Sequence, residues 1–198
     1  MAGMISAVVL AAGRAQTMGE QKVFLPLQGK PVLQWVLESA LKSDLHEVIC
    51  VVRDLASARQ RIALVHERLF WLVNHAADRG QSTSVIAGLW ATDPKSHGTL
   101  FLTGDQPMIR CELIDSLIDR FENSSALIVA PTFAGRTRNP ALFRRDLFPE
   151  LLQLTGDRGG RVLVEKYLDK TELLDWPDEA PFMDIDVRED YERLNKLA

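Results

Sequence analysis

Cysteine is scarce in this chain. There are two in 198 residues, Cys50 and Cys111, far apart and in no metal-like spacing. That excludes a scaffold built on disulfides, and Cys50, inside an apolar run, reads as a buried thiol. The four histidines, His46, His66, His75 and His97, are scattered and form no metal or triad pattern, so they read as structural or exposed. Positive charge is not in excess either. The formal net charge is −4, which excludes a broad basic field for nucleic acid and leaves any anionic substrate to local cations. No apolar stretch is long enough to cross a bilayer, and the N-terminus shows none of the regions of a secretory signal. The expectation is a cytoplasmic protein with no nucleic-acid and no membrane partner. Repeats, low-complexity tracts and linkers are also missing, so one domain over residues 1–198 is expected.

What is present is ordinary globular material, 46% hydrophobic and 25% charged, enough for a real core. Ile5–Ala11 and Val48–Val52 are all-apolar runs of the kind buried on both faces of a parallel sheet. Further strands are expected at Trp71–Asn74, Thr99–Thr103, Ala126–Ala130 and Glu172–Asp175. From Pro31 onward Val32, Leu33, Val36, Leu37, Ala40 and Leu41 recur at helical spacing. Helices are also expected over Ser57–Phe70 (Ile62 and Val65 facing inward), Ser84–Ala91, Cys111–Glu122, Arg144–Leu154, Gly160–Leu168 and from Arg188, with a turn at "NPALF". Strands alternating with helices predict an α/β fold, a three-layer α/β/α arrangement on a mostly parallel, doubly wound, Rossmann-like sheet.

In such sheets ligands sit beyond the carboxyl ends of the strands. The first of these ends opens "AGRAQTMGEQK" (Ala12–Lys22), a loop of small residues with Arg14 and Lys22. The dinucleotide pattern GxGxxG fails, because Arg14 and Ala15 follow Gly13. The P-loop pattern fails too, because five residues separate Gly13 from Gly19 and Lys22 stands three positions later. The physics of both still applies: small residues let backbone N–H groups approach an anion, and a lysine adds a point charge. Asp105, directly after the apolar run "GTLFLT", is placed either to form the turn before Pro107 or to hold Mg²⁺ through hard oxygens. "RGQSTSV" sets Gly80, Ser82, Thr83 and Ser84 at a helix start, where hydroxyls and amides suit an anion or a base edge. Asn74 ends the short strand before it.

The stretch "VVLAAGRAQTMGEQKVFLPLQGKPVL" resembles the N-terminal signature of the nucleotidyltransferases related to molybdenum cofactor synthesis. Leu10-Ala11-Ala12-Gly13, Met18-Gly19, Lys22, Leu25-Pro26 and Gly29-Lys30-Pro31 carry the match. Where the family has an arginine before Met-Gly, this chain has Thr17, with Arg14 as the nearby substitute. The resemblance implies the nucleotide-diphospho-sugar transferase fold. Leu10, Ala11, Ala12, Gly13, Arg14 and Lys22 would hold the nucleotide, with Gly104, Asn74, Ser82 and Ser84 beside it. "GDQP" resembles the family's Gly-Asp-x-Pro, making Asp105 a metal ligand. "TRNPALF" and "LTGDRGGR" resemble the later motifs near the acceptor, through Asn139, Asp157 and Arg161. "DIDVREDYERL" resembles the C-terminal motif, with Asp186 as the second metal ligand.

The activity this implies is transfer of CMP from CTP to the phosphate of the molybdenum-bearing molybdopterin, with release of pyrophosphate. Lys22 and Asp105 are the expected catalytic pair and Mg²⁺ the cofactor. Partners would be CTP, the phosphorylated acceptor and a molybdoenzyme or its chaperone. Ala12 favours CTP, because guanylyl-transferring relatives tend to LAGG. Transfer with GTP or to a sugar or polyol phosphate, a non-catalytic nucleotide carrier, and a reductase using NADPH stay open as alternatives.

Overall fold

The computed structural model describes residues 4–13 and 21–197; Arg14, Thr17, Met18 and Gly19 lie outside these. Ten strands are present among the described residues: β1 (Ile5–Leu10), β2 (Pro26–Leu27), β3 (Lys30–Pro31), β4 (Glu47–Val52), β5 (Leu69–Val73), β6 (Gly98–Thr103), β7 (Ile128–Phe133), β8 (Arg136–Thr137), β9 (Ala141–Arg144) and β10 (Thr171–Asp175). The helices are α1 (Val32–Lys42), α2 (Leu55–Arg61), α3 (Gln81–Ala91), α4 (Cys111–Glu122), α5 (Phe148–Leu151), α6 (Arg161–Lys166) and α7 (Arg188–Leu197). One sheet runs β10-β7-β9-β6-β1-β4-β5, with β8 added to β7, while β2 and β3 form a separate hairpin. All pairings from β6 through β1 and β4 to β5 are parallel, as is β10 with β7, and β9 is antiparallel to both of its neighbours. The expected mostly parallel α/β sheet is therefore what forms.

The apolar runs explain the layers. Along β1, Ile5, Ala7 and Val9 pack on one face with Leu33, Val36 and Leu37 of α1 and with Leu113 and Leu117 of α4. Val8 points to the other face, against Val85 and Leu89 of α3. Both faces of β1 are thus covered, which is why its sequence does not alternate. α3 lies close on the sheet at Gly88, where a Cβ would come 2.3 Å from Val8 Cγ1. A third, smaller cluster joins Leu27 and Val32 to Ile185 and Leu194, and so ties the C-terminal segment to the β2–β3 hairpin and α1.

Four expectations are corrected. The helix placed at Ser57–Phe70 is only α2, capped by the Asp54 side chain accepting from the Ser57 amide. Ile62 ends it, and Val65, expected to face inward, is 98% exposed. "NPALF" is not simply a turn, because Ala141, Leu142 and Phe143 form β9, buried between β6 and β7. The Arg144–Leu154 helix is broken into the end of β9, a single 3-10 turn and the four residues of α5. β7 extends beyond Ala130 through Pro131, which falls between the stretch paired with β9 and the stretch paired with β8.

Candidate active site

The carboxyl ends of β1, β4, β5 and β6 converge on one edge of the sheet, and the residues that follow them meet there. Gly104, just after β6, donates its amide to Leu10 O at 2.9 Å. A Cβ on it would come 3.0 Å from Ala11 Cβ and 3.1 Å from Leu33 Cδ1. Its smallness therefore lets the β6 exit lie flat on the β1 exit. Ala11 and Ala12 are buried in the packing of the two sheet faces, whereas Gly13 is exposed.

Lys22 opens a single 3-10 turn whose next two residues, Val23 and Phe24, are buried. That anchorage aims Lys22 at the β6 exit. Its Nζ is 2.7 Å from Asp105 Oδ2 and 2.7 Å from Asp186 Oδ1. One ammonium bridges the carboxylates, so their oxygens lie within twice that distance of each other. Asp186 arrives from the far end of the chain: its neighbour Ile185 is fully buried beside Leu27 and Val32, and its amide donates to Asp190 Oδ2 at 3.0 Å. Burial disfavours the Lys22 charge, but Asp105 and then Asp186 outweigh it and raise the lysine above its ordinary pKa. The Asp184 carboxyl is also pushed up, first by burial and then by the negative charges of Asp186 and Asp105.

Lys22 and Asp105 line a cavity of about 450 Å³, together with Leu10, Ala12, Gly13, Asp78, Arg79, Gly80, Gln81, Ser84, Thr103 and Asp157. Asn74 and Ser82 are buried behind the wall. Asn74 Nδ2 donates to Thr83 Oγ1 and Ser84 Oγ, each at 2.9 Å, and its Oδ1 accepts from the Ala76 amide. Asn74 thus braces the loop between β5 and α3. The Ser82 amide donates to Gly156 O, and Asp157 Oδ1 accepts from the Gln81 amide at the start of α3. Gly80, at φ 110°, is pressed so close that a Cβ would meet Gly156 C at 2.3 Å.

A second cavity, of about 290 Å³, shares Leu10, Gln81, Thr103 and Asp157 with the first and adds Asn139 and Arg161. A third, of about 630 Å³, shares Asn139 and Arg161 with the second and extends to Gln106 and Asp184. Arg161 sits on the rim with its Nε 3.0 Å from Glu165 Oε1. Thr103 Oγ1, in the wall common to the first two cavities, is buried without a hydrogen-bond partner.

The structure brings Leu10, Ala12, Gly13, Lys22, Ser84, Asp105 and Asp157 to one cavity and Asp186 onto the same ammonium. It places Ala11, Asn74, Ser82 and Gly104 in supporting positions and Asn139 and Arg161 in the adjoining cavities. Sequence reasoning missed Arg53, which follows β4 as Asp105 follows β6 and was findable by the same rule. Its Nε donates to Gly13 O at 3.3 Å and its Nη1 to Asp78 Oδ1 at 2.9 Å, tying two walls of the first cavity together. Arg136 was missed as well, and Arg138 and Asp184, although they stand in "TRNPALF" and "DIDVREDYERL", were not singled out, because neither spacing nor composition sets them apart there.

Among the described residues no set of three or more His, Cys, Asp or Glu is gathered for a metal. Asp105 and Asp186 are the convergent pair. Two carboxylates suit a hard divalent cation that fills its other positions with water and phosphate oxygens.

The chain matches the MobA-like NTP transferase domain over residues 7–171. It belongs to that family. Its relatives extend over nearly all of it. The purine catabolism protein PucB of Bacillus subtilis is 30% identical, over 96% of this chain and 95% of its own length. The nicotine blue oxidoreductase of Paenarthrobacter nicotinovorans is 28% identical over 96% of each chain. A protein of Methanosarcina mazei named "Probable molybdenum cofactor guanylyltransferase" is 24% identical over 96% of this chain and 89% of its own. Among solved structures, Rv0371c of Mycobacterium tuberculosis superposes with a TM-score of 0.86 at 29% identity, covering 99% of this chain and all of that one. Its manganese complex superposes at 0.81 with 27% identity, over 99% of this chain and all of that one. The chain is a nucleotidyltransferase of the MobA-like kind, and among the described residues no helix is long and apolar enough to cross a membrane.

Proposed function

We propose that this MobA-like transferase moves CMP from CTP to the phosphate of the molybdenum-bearing molybdopterin. A phosphate oxygen of the acceptor attacks the α-phosphorus, the bond from that phosphorus to the β-phosphate oxygen breaks, and pyrophosphate leaves. The nucleophile is already an anion, so no general base is needed, and the protein's task is alignment and neutralisation of charge.

The observation that carries this reading is the Lys22 ammonium held between Asp105 and Asp186 at the mouth of a cavity headed by Leu10 and Gly13. In the reactive complex Lys22 turns to the triphosphate oxygens, while Gly13 and the start of α3 receive the nucleotide. Asp105 and Asp186 would hold Mg²⁺, whose chemistry is to neutralise the phosphates and help pyrophosphate depart. Ala12, where the resemblance puts glycine in guanylyl-transferring relatives, is the basis for CTP over GTP, and the molybdenum cofactor protein among the relatives supports a pterin phosphate as acceptor.

The test incubates protein, Mg²⁺ and cofactor with CTP or GTP and follows pyrophosphate. Release with CTP is expected; faster release with GTP overturns the base assignment. The 28% identity to nicotine blue oxidoreductase favours one second reading, a reductase on the same scaffold. That reading requires oxidation of NADPH in the presence of a dye-like acceptor and no pyrophosphate with either nucleotide.

A further inference from the structure

The third cavity has a feature that the nucleotide reading does not use. Its wall includes Arg136, Arg138, Asn139 and Arg161, with Gln106 and Asp184 on the side toward the bridged carboxylates. Two of these place it next to the reacting centre: Gln106 directly follows Asp105, and Asp184 lies two positions before Asp186. Gln106 is buried and fixed, its Nε2 donating to Phe182 O at 3.3 Å.

The three arginines are not equivalent. Arg161 has a mostly exposed side chain and already has a carboxylate partner in Glu165. Arg136 is exposed on the short β7–β8 hairpin. Arg138 is half-buried, its backbone amide donates to Pro131 O at 2.8 Å, and its Nε is inaccessible to solvent with no hydrogen-bond partner. A buried donor of a permanent cation is costly to leave unpaired. A guanidinium presents its donors as a planar fork that fits the oxygens of a phosphate.

Resting on the proposed transfer reaction, we infer that Arg138, supported by Arg136, is the anchor for the phosphate monoester of the acceptor. The acceptor then comes from the β7–β8 side of Asp105 and the nucleotide from the Gly13 side. The substrate class follows: a small molecule bearing a dianionic phosphate, not a neutral alcohol. Arg161 is left as a rim residue that steers anions inward.

The test compares wild type with R138M, R138K and R136M. Inorganic phosphate is titrated calorimetrically, Mg²⁺–CTP binding is followed by thermal shift, and KM is measured separately for acceptor and CTP. R138M is expected to weaken phosphate binding and raise the acceptor KM by about tenfold or more, the scale of one charge-assisted bidentate contact. The CTP KM and the CTP thermal shift stay at the wild-type value. R138K, which keeps the charge but loses the fork, recovers part of the loss, and R136M shows a smaller effect of the same kind. Unchanged phosphate binding and acceptor KM in R138M overturn the inference. So does a CTP affinity that falls in parallel, which marks a structural role. If no nucleotide supports transfer in wild type, the phosphate titration still decides: its loss in R138M keeps the anion anchor while the transfer reading falls.

Discussion

Lys22 and Asp186 are 164 positions apart in the chain, yet the lysine Nζ donates to Asp186 Oδ1 at 2.7 Å. The same nitrogen is 2.7 Å from Asp105 Oδ2. The contact depends on the packing of Ile185 and Leu194 against Leu27 and Val32, which holds the C-terminal segment against the β2–β3 hairpin and α1. If Lys22 later serves the triphosphate, K22M should lose about 10²–10³ in kcat/KM, as removal of one preorganised charge donor does elsewhere. Steady-state pyrophosphate release checks this, and a loss below threefold in K22M would assign Lys22 to structure alone.

The same clasp sets an alkaline signature. Lys22 is raised above its ordinary value of 10.5. Its contribution to stability is therefore complete below the unfolded lysine pKa and disappears as pH climbs through the higher folded value. Thermal melts of metal-free wild type and K22M should differ at neutral pH and converge above pH 10.5. A gap that widens with rising pH contradicts the bridge.

Two glycines of the site should answer differently to alanine. At Gly80 the added Cβ meets backbone atoms of Gly156 at 2.3–2.4 Å and the φ of 110° is unfavourable to any L side chain. At Gly13 nothing lies within 4 Å of the added carbon. G80A should cost at least ~1–3 kcal/mol, the usual range for overpacking, and G13A no more than ~0.5 kcal/mol, as at an ordinary surface position. Urea titrations measure both, and equal effects would mean that the Gly80–Gly156 contact yields easily.

The thiols give a probe of the sheet. Cys50 is fully buried in β4, and burial pushes its thiol well above the ordinary range. Cys111, at the first position of α4, is partly exposed. In a C111S variant a disulfide-exchange reagent should label nothing in native buffer and one thiol after denaturation. Rapid labelling of the native variant would show that β4 opens locally.

β1, β4 and β6 were legible because strands buried on both faces are uninterrupted apolar runs, and α1 and α4 because their apolar residues keep helical spacing. β9 was hidden: three buried residues after a proline are too short a run to separate from a turn, and only its two neighbours make it a strand. α2 was overextended because Ile62 and Val65 continue a helical spacing that the backbone abandons. Within the site, Asp105 stood out by following an apolar run. Asp186 was visible only through the likeness of "DIDVRED" to a family motif, since nothing local says that it reaches Lys22. Arg138 stands inside "TRNPALF" next to Asn139, but nothing in the string says that its side chain is half-buried; that is a product of the hairpin.

The dependence of the site on Ile185 and Leu194 has a consequence for biosynthesis. A ribosome finishes β1, β4 and β6, and so most of the sheet, long before it reaches residue 186. A copy that ended before residue 186 would keep those strands but leave Lys22 with Asp105 alone of the two carboxylates. The second carboxylate of the clasp is thus made after the strands that position the first.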